Sequence, residues 1–222
     1  MNNVYIKGTG SYAPENIIKN DFFESIGSSG EWIFSKLGIK ERRISTGEAD
    51  AVFFGDGAGA MVLSSTTEDK GFIDFALHSD GTGKEHFTIL AGGSAKPASI
   101  ETVNNREHYF KMDGKAVFDT ATKVVPENIN EILSKNNLTI EDVDFMLPHQ
   151  PSIRILQEIA RKVNLPFEKV KTNMDRYANT SGGTVPIILD ETHKNNEFKK
   201  GDILLFAAVG AGWTWGTALY KW

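Results

Sequence analysis

The chain has 222 residues, 40% hydrophobic and 24% charged, with 29 acidic against 24 basic side chains and a net charge of −5. That suffices for one large domain or two small ones with real cores, while the acidic balance and the lack of a basic stripe speak against a nucleic-acid surface. There is no cysteine, which excludes disulfides, thiolate metal sites and a cysteine nucleophile among these residues.

The opening stretch NVYIKGTGSYAPENI alternates apolar residues before Gly8, Gly10 and Pro14, which predicts a strand running into a loop. Its flanks lack a basic targeting region, and no apolar run nears the roughly 18 residues of a membrane span. A soluble, cytoplasmic protein without a membrane or nucleic-acid partner is expected. Asn20 and Asp21 can cap a short helix over DFFESI, and Ser28 and Ser29 precede a second, EWIFSKL, stopped by Gly38. AVFFGDGAGAMVLSS, residues 51 to 65, predicts two buried strands around a Gly-rich turn, and GFIDFALHSDG a further strand. Residues 81 to 110 mix Gly, Ser, Pro and charge and predict an irregular surface excursion. A long helix opened by Asp113 follows, with a kink expected at Pro126. TIEDVDFMLPHQ starts with a capping box, Thr139 to Asp142, and ends in the short strand DFMLP. A helix burying Ile155, Leu156, Ile159 and Val163 comes next, then another beginning at Thr180 or Ser181, then a hairpin over residues 202 to 220. Alternating buried strands and helices give an α/β layered fold with mixed sheets.

Five histidines, His78, His86, His108, His149 and His193, show no metal-binding spacing. His149 follows a buried strand at the carboxyl end, where α/β sheets place ligands; it equally suits a capping or core role. Asn179, 30 residues on, is by itself most simply a helix cap. Together, at the tops of adjacent βα units, they form a pair of neutral donors able to hold a developing oxyanion. GDGAG lacks the strand-to-helix context of a dinucleotide fingerprint, so a tight hairpin is the better reading. The glycines of VGAGWTWG let a loop backbone approach a ligand, and its amides could form half of an oxyanion hole. Trp32 and Lys36, at i and i+4, are a surface pair or a ring that stacks a base beside a phosphate-binding ammonium. Arg154, Arg161 and Lys162 form a solvated face or a landing site for an acidic carrier.

GTGSYAPENIIKN, EWIFSKLGIKERRIS, FGDGAGAMVL, PHQPSIRI, DRYANTSGGTVPIILDE and GAGWTWGTALYKW occur together and in order. With them the sequence resembles β-ketoacyl-acyl-carrier-protein synthase III, a thiolase-fold condensing enzyme that starts fatty-acid synthesis. The resemblance implies a homodimer that condenses acyl-CoA with malonyl-ACP to 3-oxoacyl-ACP, with no tightly bound cofactor; coenzyme A thioesters and the carrier's phosphopantetheine are its substrates. It casts His149 and Asn179 as the catalytic pair and the Ala211 amide as an oxyanion donor for acylation. It assigns coenzyme contacts to Ser28, Trp32 and Lys36, and the acyl and pantetheine channel to Gly114, Phe118 and Ser152. Arg154, Arg161 and Lys162 become the carrier-protein surface. Lys36 replaces the family's usual arginine and Ser152 its usual asparagine. Residues 1–50 would begin the first thiolase-like half, 51–110 would complete it with an irregular excursion, and 111–222 would form the second half.

The family carries roughly 100 further residues between RRIS and FGDGAGA, judged by the usual length of such enzymes, and they hold the nucleophilic cysteine at a helix N-terminus. Either the 222 residues come from a longer chain or the segment is deleted. The first is favoured, because deletion would strip central strands and leave long edges unpaired. A Cα separation at Asp50 and Ala51 well beyond about 3.8 Å would mark an unbonded junction. A deleted chain would be left with malonyl decarboxylation, or with coenzyme or carrier binding alone; a relative acting in secondary metabolism is a further reading.

Overall fold

A computed structural model describes residues 3–45 and 52–222. The Asp50–Ala51 junction lies outside the described residues. In chain order the elements are β1 (Asn3–Tyr12), β2 (Ile17–Lys19), a 3-10 turn (Asn20–Ile26), α1 (Gly30–Leu37), β3 (Glu41–Arg43), β4 (Ala58–Thr66) and β5 (Gly71–Ser79). Then come β6 (Phe87–Ile89), α2 (Ile100–Asn104), β7 (Phe110–Met112), α3 (Gly114–Lys135), β8 (Phe145–Pro148), α4 (Ile153–Val163), α5 (Met174–Tyr177), α6 (Thr184–Lys194), β9 (Ile203–Gly210) and β10 (Thr214–Lys221).

Local chemistry accounts for the helix ends. The Ser29 hydroxyl accepts from the Trp32 amide at the start of α1, and Gly38, at φ 81°, ends it in the left-handed conformation glycine tolerates. Asp113 caps α3 through the Ala116 amide at 3.0 Å, and the 22-residue helix continues through Pro126 without interruption. The Thr139–Asp142 capping box forms as expected. α6 starts at Thr184, later than expected, because Ser181 sits at φ 52°, outside helical space, and residues 181–183 make a single 3-10 turn.

The expected hairpin over residues 51 to 65 is not there. Only β4 forms, pairing antiparallel with β1, and its glycines serve close approach to other segments rather than a turn. A Cβ on Gly55 would lie 2.3 Å from the Tyr177 carbonyl oxygen, and one on Gly59 would lie 2.6 Å from Pro186 Cβ. Neither is the strand buried, since Met61, Val62 and Leu63 are exposed. The β9–β10 hairpin forms as expected.

Four layers result. The sheet β5-β10-β9-β8, with β8 parallel to β9 and the other pairs antiparallel, carries α3 and α4 on one face. Ile129, Ile132, Ile159, Leu205 and Leu219 meet there in the largest core cluster. On the opposite face α6 packs against β8 and against β1 and β4, with Leu147, Ile188, Leu189, Leu204 and Tyr220 in a second cluster. Asp190 of α6, fully buried, accepts from Thr9 Oγ1 at 2.8 Å and Ser11 Oγ at 2.5 Å in β1. Burial pushes its carboxyl up, but the bonds from Lys194, Ser11 and Thr9 outweigh that and hold it below the usual carboxylate range. This is a layered α/β arrangement with a helix between two sheets, as the sequence led us to expect. The α6-side face of β5 is left open, with Ile73, Phe75 and Leu77 exposed while Ala76 is buried on the α3 side.

Two short segments flank residues 46–51. Asp56 Oδ2 accepts from the Ser45 amide at 2.7 Å and its hydroxyl at 2.6 Å, and the Asp56 amide donates to the Arg43 carbonyl at 2.7 Å. The wholly buried Arg42 donates to the Val52 carbonyl at 2.9 Å and stacks on Phe23 with its guanidinium carbon 4.5 Å from the ring centroid.

Candidate active site

β8 delivers His149: the strand ends at Pro148, and the His149 amide donates to the Ala207 carbonyl at 2.8 Å, so the imidazole sits at the carboxyl end of the sheet. Its Nδ1 lies 2.7 Å from Thr184 Oγ1. Burial pushes the ring's pKa down to about 4, partly opposed by the Ser181 backbone, so at neutral pH the imidazole is uncharged.

Asn179 is fixed through its backbone. Its amide donates to the Phe53 carbonyl at 2.9 Å and its carbonyl accepts from the Gly55 amide at 3.1 Å, a parallel bridge to the segment ahead of β4. Ala178 at φ 56° and Ser181 at φ 52° lie on either side, left-handed positions that non-glycine residues occupy at a cost of about 1 kcal/mol or more each. Asn179 Oδ1 accepts from the Ser181 amide at 2.8 Å, which leaves Nδ2 as the end able to donate to a ligand.

One cavity of about 570 Å³ gathers most of the residues singled out in the sequence: Trp32, Lys36, Gly114, Phe118, His149, Ser152, Arg154, Asn179 and Ala211 all line it. They come from α1, α3, α4, the turn between β9 and β10, and two loops, so only the fold brings them together. Trp32 is 46% exposed, leaving its ring available to a flat partner. Ser28, Arg161 and Lys162 are not among the lining residues. Phe53, Phe54 and Phe87, which sequence reading did not pick out, line the same cavity, and Phe110 joins them with ring centroids 5.4 to 5.8 Å away. The FF pair ahead of Gly55 was the available signal. Thr184 was missed as well; its signal was only one more hydroxyl in NTSGGT. A second cavity of about 720 Å³, lined by Phe75, Leu77, Phe206, Ala208 and Thr214, also reaches His149. The open face of β5 forms part of its wall.

Family models for 3-oxoacyl-[acyl-carrier-protein] synthase III match residues 44–81, and for the C-terminal part of that enzyme residues 133–222. Together they span more than half of the chain. The chain belongs to the 3-oxoacyl-[acyl-carrier-protein] synthase III family. Beta-ketoacyl-[acyl-carrier-protein] synthase III of Porphyromonas gingivalis is 45% identical over 177 residues, covering 80% of this chain and 52% of that protein. Synthase III 1 of Bacteroides thetaiotaomicron is 41% identical with the same coverage. The chain spans about half the length of the curated relatives it matches. Among solved structures, the Aquifex aeolicus synthase III superposes with a TM-score of 0.87 at 24% identity, covering 99% of this chain and 100% of that one. The priming β-ketosynthase of the R1128 polyketide pathway superposes with a TM-score of 0.83 at 20% identity, covering 99% and 96%. These likenesses establish a thiolase-type fold.

In this synthase III chain Ser152 is buried and caps α4, accepting from the Ile155 amide at 3.3 Å. Of the three basic residues on α4, Arg161 is held bidentately by Glu158 at 2.8 and 2.7 Å. Lys162 donates to the Thr122 carbonyl of α3 at 2.8 Å. Arg154 makes no ion pair among the described residues; its Nε reaches the Ser35 carbonyl at 3.3 Å.

Proposed function

We propose that this chain supplies the decarboxylating and thioester-binding part of a decarboxylative Claisen condensation, which joins an acyl group from acyl-CoA to malonyl-ACP to give 3-oxoacyl-ACP and carbon dioxide. The observation that carries this reading is the convergence of His149, Asn179, Trp32, Lys36, Phe118 and Ser152 on one 570 Å³ cavity. A malonyl thioester in that cavity loses its carboxylate as CO2, and the bonding pair becomes an enolate. Asn179 Nδ2 donates to the oxygen where charge develops, in a site whose apolar walls strengthen the contact; one such donor is worth roughly 3 to 4 kcal/mol. His149, neutral and opening on the same cavity, is the second donor to that oxygen. Trp32 stacks on the coenzyme's base with Lys36 near its phosphates, and Arg154 is the residue on α4 most available to an acidic carrier protein. Ala211 lines the same cavity, and its amide is the oxyanion donor for the acylation step. The exposed apolar strand faces support a homodimer, and the substrates set the work in the cytoplasm.

The acyl-accepting thiol is not in these 222 residues, which contain no cysteine, so acylation requires a thiol from outside them. The test is CO2 release from malonyl-ACP by the full chain, with the intact mass followed after exposure to acyl-CoA. Decarboxylation lost in His149→Ala and Asn179→Ala supports the reading. A chain that binds coenzyme A or carrier protein but releases no CO2 refutes it and establishes the second reading, a binding module.

A further inference from the structure

Phe53, Phe54 and Phe87 line the 570 Å³ cavity and Phe110 does not, yet Phe110 is the ring that all three touch. Its centroid lies 5.8 Å from that of Phe53 and 5.4 Å from that of Phe54, at interplanar angles of 65° and 68°. It lies 5.4 Å from Phe87 at 24°. These are the edge-to-face and stacked arrangements that aromatic pairs favour. The lining rings come from two segments far apart in sequence, one ahead of β4 and one in β6, and the hub sits on β7, paired with β6. The rings have little room to give way. The Phe53 carbonyl and the Gly55 amide are both bonded to the Asn179 backbone, and a Cβ on Gly55 would lie 2.3 Å from the Tyr177 carbonyl oxygen. The backbone bearing Phe53 and Phe54 therefore cannot retreat, while Phe110, off the cavity, backs the rings themselves.

We propose that Phe110 is a positioning residue that sets specificity: it holds Phe53, Phe54 and Phe87 as a stiff wall, so that the cavity accepts a short acyl chain on its coenzyme A thioester and turns away a long one. The inference rests on the thioester binding of the proposed function and names the substrate class of that site. Phe54 and Asn179 form a β-bridge, so an acyl group whose thioester oxygen lies at Asn179 Nδ2 starts beside the wall. A packed aromatic cluster yields poorly to extra methylenes, because making room moves several rings off their contacts at once. Each methylene that does find apolar cover strengthens binding about fourfold. The chain length at which that gain stops therefore reports where the wall stands.

The experiment is isothermal titration of the full chain with coenzyme A and with its acetyl, butyryl and octanoyl thioesters, beside CO2 release from malonyl-ACP. In the parent, octanoyl-CoA should bind no more tightly than butyryl-CoA. In Phe110→Leu, which stays apolar but loses the ring, octanoyl-CoA should gain about tenfold or more on butyryl-CoA, while coenzyme A itself binds within about twofold of the parent. Phe54→Leu, which removes a lining ring directly, should shift the order the same way and carries the test if the first variant does not fold. Phe110→Tyr, which keeps the ring, should keep the parent's order. A parent that gains about fourfold per methylene all the way to octanoyl has no wall and overturns the inference; so does a folded Phe110→Leu chain whose order matches the parent's. Binding of none of the thioesters overturns it together with the proposed function. The expected order in a chain that releases no CO2 upholds the wall and refutes the decarboxylation alone.

Discussion

Gly55→Ala tests how the site is held. The new methyl carbon would sit 2.3 Å from the Tyr177 carbonyl oxygen and 3.1 Å from Arg42 Cβ, while ordinary van der Waals contact begins near 3.4 Å. The backbone ahead of β4 must therefore retreat by about 1 Å. Two hydrogen bonds depend on that approach, from the Asn179 amide to Phe53 and from the Gly55 amide to Asn179, each contributing about 1 kcal/mol net. Overpacking adds about 1 to 3 kcal/mol, so the variant should lose roughly 3 to 5 kcal/mol in urea unfolding. Because Asn179 is the residue that moves, malonyl decarboxylation should fall about 100-fold, the scale associated with a 1 Å misplacement. Gly10→Ala, where the added carbon meets nothing within 4 Å, is the control and should match or slightly exceed the parent in stability. A Gly55→Ala chain within about 0.5 kcal/mol of the parent and equally active would refute the close-approach explanation of the glycine run.

The remaining predictions concern charge. His149 has its folded pKa lowered from 6.5 to about 4. Above pH 6.5 it contributes nothing to pH dependence; as pH falls toward 4 the unfolded chain binds a proton the folded chain refuses, and stability is lost. At 1.36 kcal/mol per unit the full cost is about 3 kcal/mol, reduced to about 2 by solvent reaching the ring through the cavities. The gap in unfolding free energy from urea melts between His149→Gln and the parent should therefore shift by that amount in the variant's favour from pH 7.5 to 4.5. Asn179→Ala should lower decarboxylation by about 100- to 1,000-fold with less than about 1 kcal/mol change in unfolding free energy. On the proposed carrier-protein face, Arg154→Ala should weaken carrier-protein binding by isothermal titration several-fold more than Arg161→Ala, whose charge Glu158 already neutralises. Equal effects would discount the ion pair.

Much of this was legible in the residues. Helix ends were written in Ser29, Gly38, Asp113 and the Thr139–Asp142 box because capping is local chemistry, and His149 was placeable because an apolar run followed at once by a polar residue marks a strand's end. What failed was non-local. The 51–65 stretch reads as a buried hairpin until one sees that Gly55 and Gly59 face Tyr177 and Pro186 across the fold. The start of α6 was missed by three or four residues because nothing in NTSGGT announces Ser181 at positive φ. Thr184 had no local signature either, since its partner is 35 residues away. The proposed catalytic pair was readable in part from placement: each residue alone suits a capping role, and their shared position at adjacent βα tops, joined to the family motifs, pointed to oxyanion chemistry.

The clasp formed by Arg42, Arg43, Ser45, Val52 and Asp56 has a consequence for how this chain tolerates change. It fixes the exit and re-entry points of the backbone close together, so polypeptide added between them need not stretch anything on either side. For a flexible insert the entropic penalty rises only as the logarithm of its length, about 0.6 kcal/mol for each doubling. The fold thus has a port at which tens of extra residues could be spliced in for roughly 1 to 2 kcal/mol.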